Sequence, residues 1–377
     1  MTSNNVAVIG IGTIGSMTLW QLARRGIKAV GFEQFGIAHD RSAAGGESRM
    51  FRTAYMEGPE YVPLLKQSRE LWEALEDETG YNLLTLNGGL MIGPKDSTRM
   101  KNVIQSVNDF DIDSEILDAE QAHIRFPQHK FKPDDIVLLD HEAGYIRPEL
   151  AVFAAAERAE QLGAVIHRHA KVDSIEEVDG AVKVVANGKN YEFDQVIVTA
   201  GPWTTKLFPE LKQNLKSRKI VMTWYPTDKL SNYKPDAFPV FGRISDDIQF
   251  FGIPTLEGTM VKIGSVDTFG EVDPDNILRD VKLSELKQIN KAVQNFFPEL
   301  RSDPMRISVH MDGYTTDEHA VVGAVPKHNK TFIMGGYSGH GFKLAPVMGE
   351  IGADLIEDGR TKFDISHLDP ARFMKGE

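Results

Sequence analysis

The stretch Val6-Ala7-Val8-Ile9-Gly10-Ile11-Gly12-Thr13-Ile14-Gly15 decides the fold, together with the helical segment to Arg25, Gly26 and the apolar run that ends at Glu33. Strand, glycine turn, helix, strand and acid follow one another in the order a dinucleotide site requires. Gly10 permits the tight turn, Gly12 lets backbone approach a pyrophosphate, and Gly15 lets the helix pack close on the strand. The unpaired N–H groups at the helix start then face the phosphates. Glu33, about twenty residues past the first glycine, is placed to accept from ribose hydroxyls. The motif itself does not choose the dinucleotide. Its place at the N-terminus and Gly26 before the second strand favour FAD over NAD.

Bulk properties narrow the classes. A chain of 377 residues is long for one core, so two domains are expected. A net charge of −12 argues against a nucleic-acid partner. No apolar run is long enough to span a bilayer, and Met-Thr-Ser-Asn-Asn lacks a signal-peptide core, so a cytoplasmic chain is expected. With no cysteine there is no disulfide, thiolate metal site or cysteine nucleophile.

Further along, apolar spacing predicts a helix from about Leu64 to Thr79, and Gly88 to Gly93 reads as a strand. Asp118-Ala119-Glu120-Gln121 is a capping box, Pro148 opens a helix that ends near Gly163, and Asn187-Gly188 folds a hairpin. Short alternating segments from Lys219 to Phe269 suggest an antiparallel sheet. Leu286, Ile289, Val293 and Phe296 mark one helix, and a last helix stops near Gly359. The fold class expected is α/β plus α+β, with a Rossmann-like nucleotide domain interrupted by an antiparallel-sheet domain. The first would take residues 1–86, 146–216 and 318–377; the second, 87–145 and 217–317.

Four loci carry unusual side chains. Arg49 and Arg52 offer guanidinium groups suited to a carboxylate, or form a solvated pair. Lys262 lies in the apolar strand Met260-Val261-Lys262-Ile263, where alternation lets it face solvent or a cavity. His340 and Lys343 sit in the glycine-rich run Gly335–Lys343; a lysine in a first helical turn opposes the helix dipole, which suggests an anionic partner. His310 and Asp312, with Asp317-Glu318-His319, match no common metal spacing, so no metal is expected.

These loci in this order resemble the monomeric sarcosine oxidase family of flavin amine oxidases, which includes N-methyltryptophan oxidase and the fructosyl amino acid oxidases (amadoriases). The runs that carry the resemblance are Gly46-Glu47-Ser48-Arg49-Met50-Phe51-Arg52-Thr53-Ala54-Tyr55, Glu60-Tyr61-Val62-Pro63, Thr199-Ala200-Gly201-Pro202-Trp203, Lys262-Ile263-Gly264, Asp317-Glu318-His319 and Ser338-Gly339-His340-Gly341-Phe342-Lys343. The resemblance implies FAD held by Gly10, Gly12, Thr13, Ile14, Gly15 and Glu33. Ser42, Ser48, Arg49, Val172, Ala200, Gly201, Trp203, Gly339, His340, Gly341, Phe342 and Lys343 are implied as further cofactor contacts. It makes Lys262, with Arg49, the group that promotes reaction with O2. Arg52 and Lys343 clamp the substrate carboxylate, with Phe250 and Asp312 as further substrate contacts. A monomer acting on a small N-substituted amino acid is expected.

Two departures shape the details. The family's flavin-linking cysteine aligns with His310, which implies noncovalent FAD. Positions that carry a histidine and a tyrosine over a small substrate fall here on Val266 and Asp312. That exchange, and the overall look of the chain, imply a fructosyl amino acid oxidase giving amino acid, glucosone and H2O2, with a sarcosine or N-methyl amino acid oxidase as the alternative.

Overall fold

Alternate residues of strand Asn5–Ile9 feed two different cores: Val6 and Val8 join one, Ala7 and Ile9 the other. Such burial on both faces is what a central parallel strand requires. In the computed structural model, which describes residues 5–245, 248–326 and 328–373, this strand pairs in parallel with Lys28–Glu33 on one side and Gln195–Val198 on the other. The outer ends of the expected nucleotide domain, residues 1–4 and 374–377, lie outside the described residues. The complete sheet runs Val321–Ala324, Thr331–Gly335, Gln195–Val198, Asn5–Ile9, Lys28–Glu33, Val165–Arg168. Only its first pair is antiparallel. Helices Thr13–Arg24, Pro148–Gln161 and Ala345–Asp358 cover one face, and an antiparallel hairpin sheet (Val172–Val178, Ala181–Ala186, Lys189–Phe193) covers the other.

Local signals place the ends of these elements. Asp118 accepts from Gln121 N while the Gln121 side chain returns to Asp118 N, closing the capping box. Pro148 stands at the start of its helix, and Gly359 ends the last one at φ +69°.

A second sheet of eight strands runs Arg306–Thr315, Leu215–Pro226, Met260–Ser265, Gln249–Ile253, Val240–Ile244, Gly89–Pro94, Asp135–Asp140, Ser114–Asp118. It is not wholly antiparallel as expected. Val240–Ile244 lies parallel to Gly89–Pro94, with Val240 opposite Gly89, so the two halves of the sheet are joined by a crossover rather than a hairpin. Helix Leu283–Phe296 packs its expected stripe on one face. The two-domain division given above is retained as a proposal; strand Leu215–Pro226 crosses its 216/217 boundary.

Phe250, an expected substrate contact, borders the second of the two chambers described below. The ring of Phe250 turns to the helix side, 5.8 Å from Phe296 and 5.9 Å from Phe241. Its neighbour Phe251 faces the other way, with Met222 and Trp224.

Candidate active site

The glycine turn opens onto a chamber lined by Gly10, Gly12 and Thr13. A Cβ added to Gly12 would meet nothing within 4 Å, whereas one on Gly15 would run into the Gly10 carbonyl. The turn thus leaves space on its outer side and none on its inner side, which suits a pyrophosphate lying against Gly12. Thr13 Oγ1, in the first helical turn, is buried without a partner. Glu33 is 4% exposed; its carboxylate accepts from Ile11 N at 3.0 Å and from Phe35 N at 2.8 Å, and it reaches the chamber wall. Ile14, Val172, Ala200, Gly201 and Trp203 line the same chamber, and Ser42, Arg49, Gly339, Gly341 and Phe342 line its far part. The donor set and the open cradle fit FAD. Gly15 and Ser48 do not reach the wall: Gly15 packs the helix on the turn, and Ser48 lies one layer behind.

That layer holds two cations. Lys262 is 1% exposed and donates to the carbonyls of Gly46 (2.8 Å) and Ser48 (2.6 Å). Arg49 donates to the carbonyls of Ala43, Gly45 and Ser48. The solvent-facing alternative for Lys262 is therefore wrong: alternation does turn it away from the helix-side core, but that other face is roofed by residues 43–49 rather than by water. Burial, with Arg49 adding to it, pushes the Lys262 ammonium well below its ordinary value. Glu149 accepts the Gly46 and Glu47 N–H groups, and Glu47 accepts from Trp224 Nε1, so the roof is pinned from helix Pro148–Gln161 and from strand Leu215–Pro226.

A second chamber shares Ala43, Arg49, Asp312, Gly339 and Phe342 with the first. Arg52 and Lys343 both lie on its wall, 5% and 6% exposed. The Arg52 guanidinium grips the Glu57 carboxylate through Nη2, at 2.6 and 2.7 Å from its two oxygens. Lys343 Nζ donates to the His340 carbonyl at 3.0 Å and to Tyr55 Oη at 3.4 Å. Burial and the Arg52 charge, partly offset by Glu57, lower Lys343 to about 7. Burial opposes ionisation of Glu57, but Arg52, His340, Lys343 and Arg99 outweigh it and hold the carboxyl at about 2. Lys343 is not in the first turn of the long helix as expected but precedes it, in the short turn Phe342–Leu344.

Asp312 stands between the chambers. Its Oδ1 accepts from Gly313 N at 2.8 Å and its Oδ2 from Gly339 N at 3.1 Å, tying strand Arg306–Thr315 to the glycine loop. Burial raises its carboxyl to about 6 against those two N–H groups and Arg49. Each oxygen thus takes one backbone N–H, and Asp312 borders both chambers. His310 is neutral, held at about 3 by burial, Arg49, Lys262 and Arg279. Its Nε2 pairs with Ser308 Oγ at 2.8 Å, and its ring presses on Gly45, where any Cβ would stand 2.6 Å from Cε1. Val266 is 38% exposed and lines the second chamber.

Glu57, Tyr55, Phe251 and Glu149 were not singled out from sequence. Glu57 follows Arg52 in a loop with no periodicity to mark it, and Glu149 meets its partners across about a hundred residues. Among the described residues, no cluster of three or more His, Asp or Glu could hold a metal, and no helix is long and apolar enough to cross a membrane.

Comparison with known proteins agrees with this geometry. Monomeric sarcosine oxidase of Streptomyces avermitilis is 33% identical over 375 residues, 98% of this chain and 97% of that one. N-methyl-L-tryptophan oxidase of Escherichia coli K12 is 29% identical over 378 residues, covering 98% and 99%. The crystal structure of amadoriase I from Aspergillus fumigatus superposes with a TM-score of 0.80 at 17% identity, over 98% of this chain and 90% of that one, a likeness of fold. Residues 5–355 match the DAO family of FAD dependent oxidoreductases. With a glycine turn, an acid and a cradle that fit FAD, the chain belongs to that family.

Proposed function

We propose that this protein oxidises the C–H beside the secondary amine of an N-methyl amino acid to an imine, with O2 reduced to H2O2, and that water then hydrolyses the imine to formaldehyde and the amino acid. The observation that carries this reading is the pair of buried cations, Arg52 and Lys343, on the wall of the second chamber. Glu57 shows on Arg52 how a carboxylate is received there. FAD, when bound, accepts the two electrons and passes them to O2. The chain's own residues hold the substrate carbon in place through its carboxylate and exclude water around it.

The fructosyl expectation yields to the N-methyl alternative. The curated relatives quoted are named for sarcosine and N-methyltryptophan. Ile220, Met222, Met50, Phe251 and Tyr314 make much of the chamber apolar, which suits an N-methyl amino acid with an apolar side chain better than a polyol. Both chambers are built from one chain, so a monomer suffices. A peroxide assay over N-methyltryptophan, sarcosine, fructosyl-valine and ε-fructosyl-lysine is expected to rank the N-methyl substrates first; preference for fructosyl-valine would overturn the reading.

No cysteine is present and His310 is held by Ser308 against Gly45, so FAD is proposed to bind noncovalently. Acid precipitation should leave the yellow colour in the supernatant, and a yellow pellet would refute this.

Substrate affinity should depend on pH with a definite sign. Lys343 clamps as a cation, and its ionisation is lowered to about 7 before ligand arrives. Charge on Lys343 is therefore complete below that pH and lost above it, so KM should rise with pH. A bound carboxylate raises the ionisation and softens the slope. Deprotonation of the substrate ammonium works in the opposite direction on kcat, since the reacting amine is neutral.

A further inference from the structure

Two buried polar side chains behind the carboxylate clamp join Lys343 in one directed chain. Tyr55 is fully buried, and its Oη lies 2.9 Å from His340 Nδ1. His340 Nε2 lies 2.9 Å from the carbonyl oxygen of Glu318. A carbonyl only accepts, so Nε2 carries the hydrogen. In the neutral ring Nδ1 is then bare and must accept from the Tyr55 hydroxyl. With its hydrogen committed to His340, Tyr55 can offer Lys343 only a lone pair. Lys343 in turn spends one N–H on Tyr55 and one on the His340 carbonyl. One position on its nitrogen is left over.

We infer that Tyr55 and His340 are positioning residues: they fix the polarity of the hydrogen bonds around Lys343 and so aim its remaining N–H at the substrate carboxylate. The inference rests on the reading of Lys343 as part of a carboxylate clamp. Were the imidazole in the other tautomer, or absent, the Tyr55 hydroxyl would be free to point its hydrogen at Lys343 and oppose the cation.

The charged groups that face Lys343 are few. Arg52 and Glu57 approach from the segment after strand Arg49–Phe51, and Arg99 from helix Thr98–Phe110 stands 3.7 Å from Glu57. From helix Val62–Thr79, neutral Ser68 and Trp72 donate only to the backbone carbonyl of Lys343. His340 is itself neutral, lowered to about 4 by burial, an effect that Glu57 partly offsets. Tyr55→Phe keeps the ring on which the Arg52 guanidinium stacks at 5.1 Å and leaves Arg52, Glu57 and Arg99 themselves unchanged, so a shift in its pH profile reports the relay.

The test uses holoenzyme titrated with 2-furoate, a plain monocarboxylate, followed by perturbation of the flavin absorbance from neutral to alkaline pH. A hydrogen bond accepted from an ammonium group favours its charged form, so removing the acceptor lowers the ionisation. In Tyr55→Phe the pH at which 2-furoate affinity falls should move down by about one unit, read as about tenfold weaker binding on the alkaline side. His340→Leu should do the same. His340→Gln presents a carbonyl to Tyr55 and an N–H to the Glu318 carbonyl, and should keep the wild-type profile. A Tyr55→Phe profile identical to wild type, or a His340→Gln profile that matches His340→Leu, overturns the relay while leaving the clamp intact. Wild-type holoenzyme that binds no 2-furoate at any pH overturns the clamp itself, and the relay with it.

Discussion

Lys262→Met is expected to slow reoxidation of the reduced enzyme by O2 about 100- to 1000-fold, while anaerobic reduction by substrate changes far less. The scale is that of one preorganised charge or donor at a centre where charge develops, about 2.7–4 kcal/mol. The assignment comes from the family resemblance, and the structure adds a physical reason for a large value. Lys262 is fully buried and held by two carbonyls, so its field acts through backbone rather than water. Methionine keeps the length of the side chain and removes the charge. Stopped-flow mixing of reduced protein with oxygenated buffer reads the effect, and unchanged reoxidation would sink the assignment. The depressed ionisation of Lys262 adds a sign: oxygen reactivity should fall as pH rises, at a pH below the ordinary lysine range.

Arg52→Met is expected to lower kcat/KM for carboxylate substrates by about 30- to several-thousand-fold, corresponding to roughly 2–5 kcal/mol for one partner of a buried, hydrogen-bonded charge pair. Part of that cost comes from Glu57, which would be left buried beside Lys343 and Arg99 without its main partner. Steady-state kinetics with an N-methyl amino acid, set beside the same amine lacking its carboxylate, separates anchoring from general damage. Equal losses on both substrates would show that Arg52 supports the fold and not the carboxylate.

The nucleotide half was legible because its signals are local. Gly10, Gly12, Gly15 and Glu33 lie within one strand–helix–strand unit, and each role depends on backbone a few residues away. Asp118, Pro148 and Gly359 were readable for the same reason. The second chamber was legible only where a resemblance supplied it. Lys262 shows why: a period of two separates the faces of a strand, but it cannot say whether the far face meets water or a loop from distant sequence. Phe250 and Phe251 show the same limit, since both border the second chamber while alternation turns their rings to opposite faces. Glu57 and Tyr55 acquire their roles only when the segment after Arg52 folds against Gly341–Leu344, a contact between regions with no shared periodicity.

The parallel pair of Val240–Ile244 with Gly89–Pro94 has a kinetic consequence. During synthesis Gly89–Pro94 waits through about 150 residues for this neighbour, and Asn5–Ile9 waits still longer for Gln195–Val198. Both pairings carry a high loop-closure entropy and give the chain high contact order. The glycine turn and its helix can form early, but the sheet that backs them is completed only when Thr331–Gly335 docks on Gln195–Val198. Because Met334, Gly335 and Phe342 line the chamber beside Gly10 and Gly12, its walls join segments more than 300 residues apart and cannot be complete before both are made.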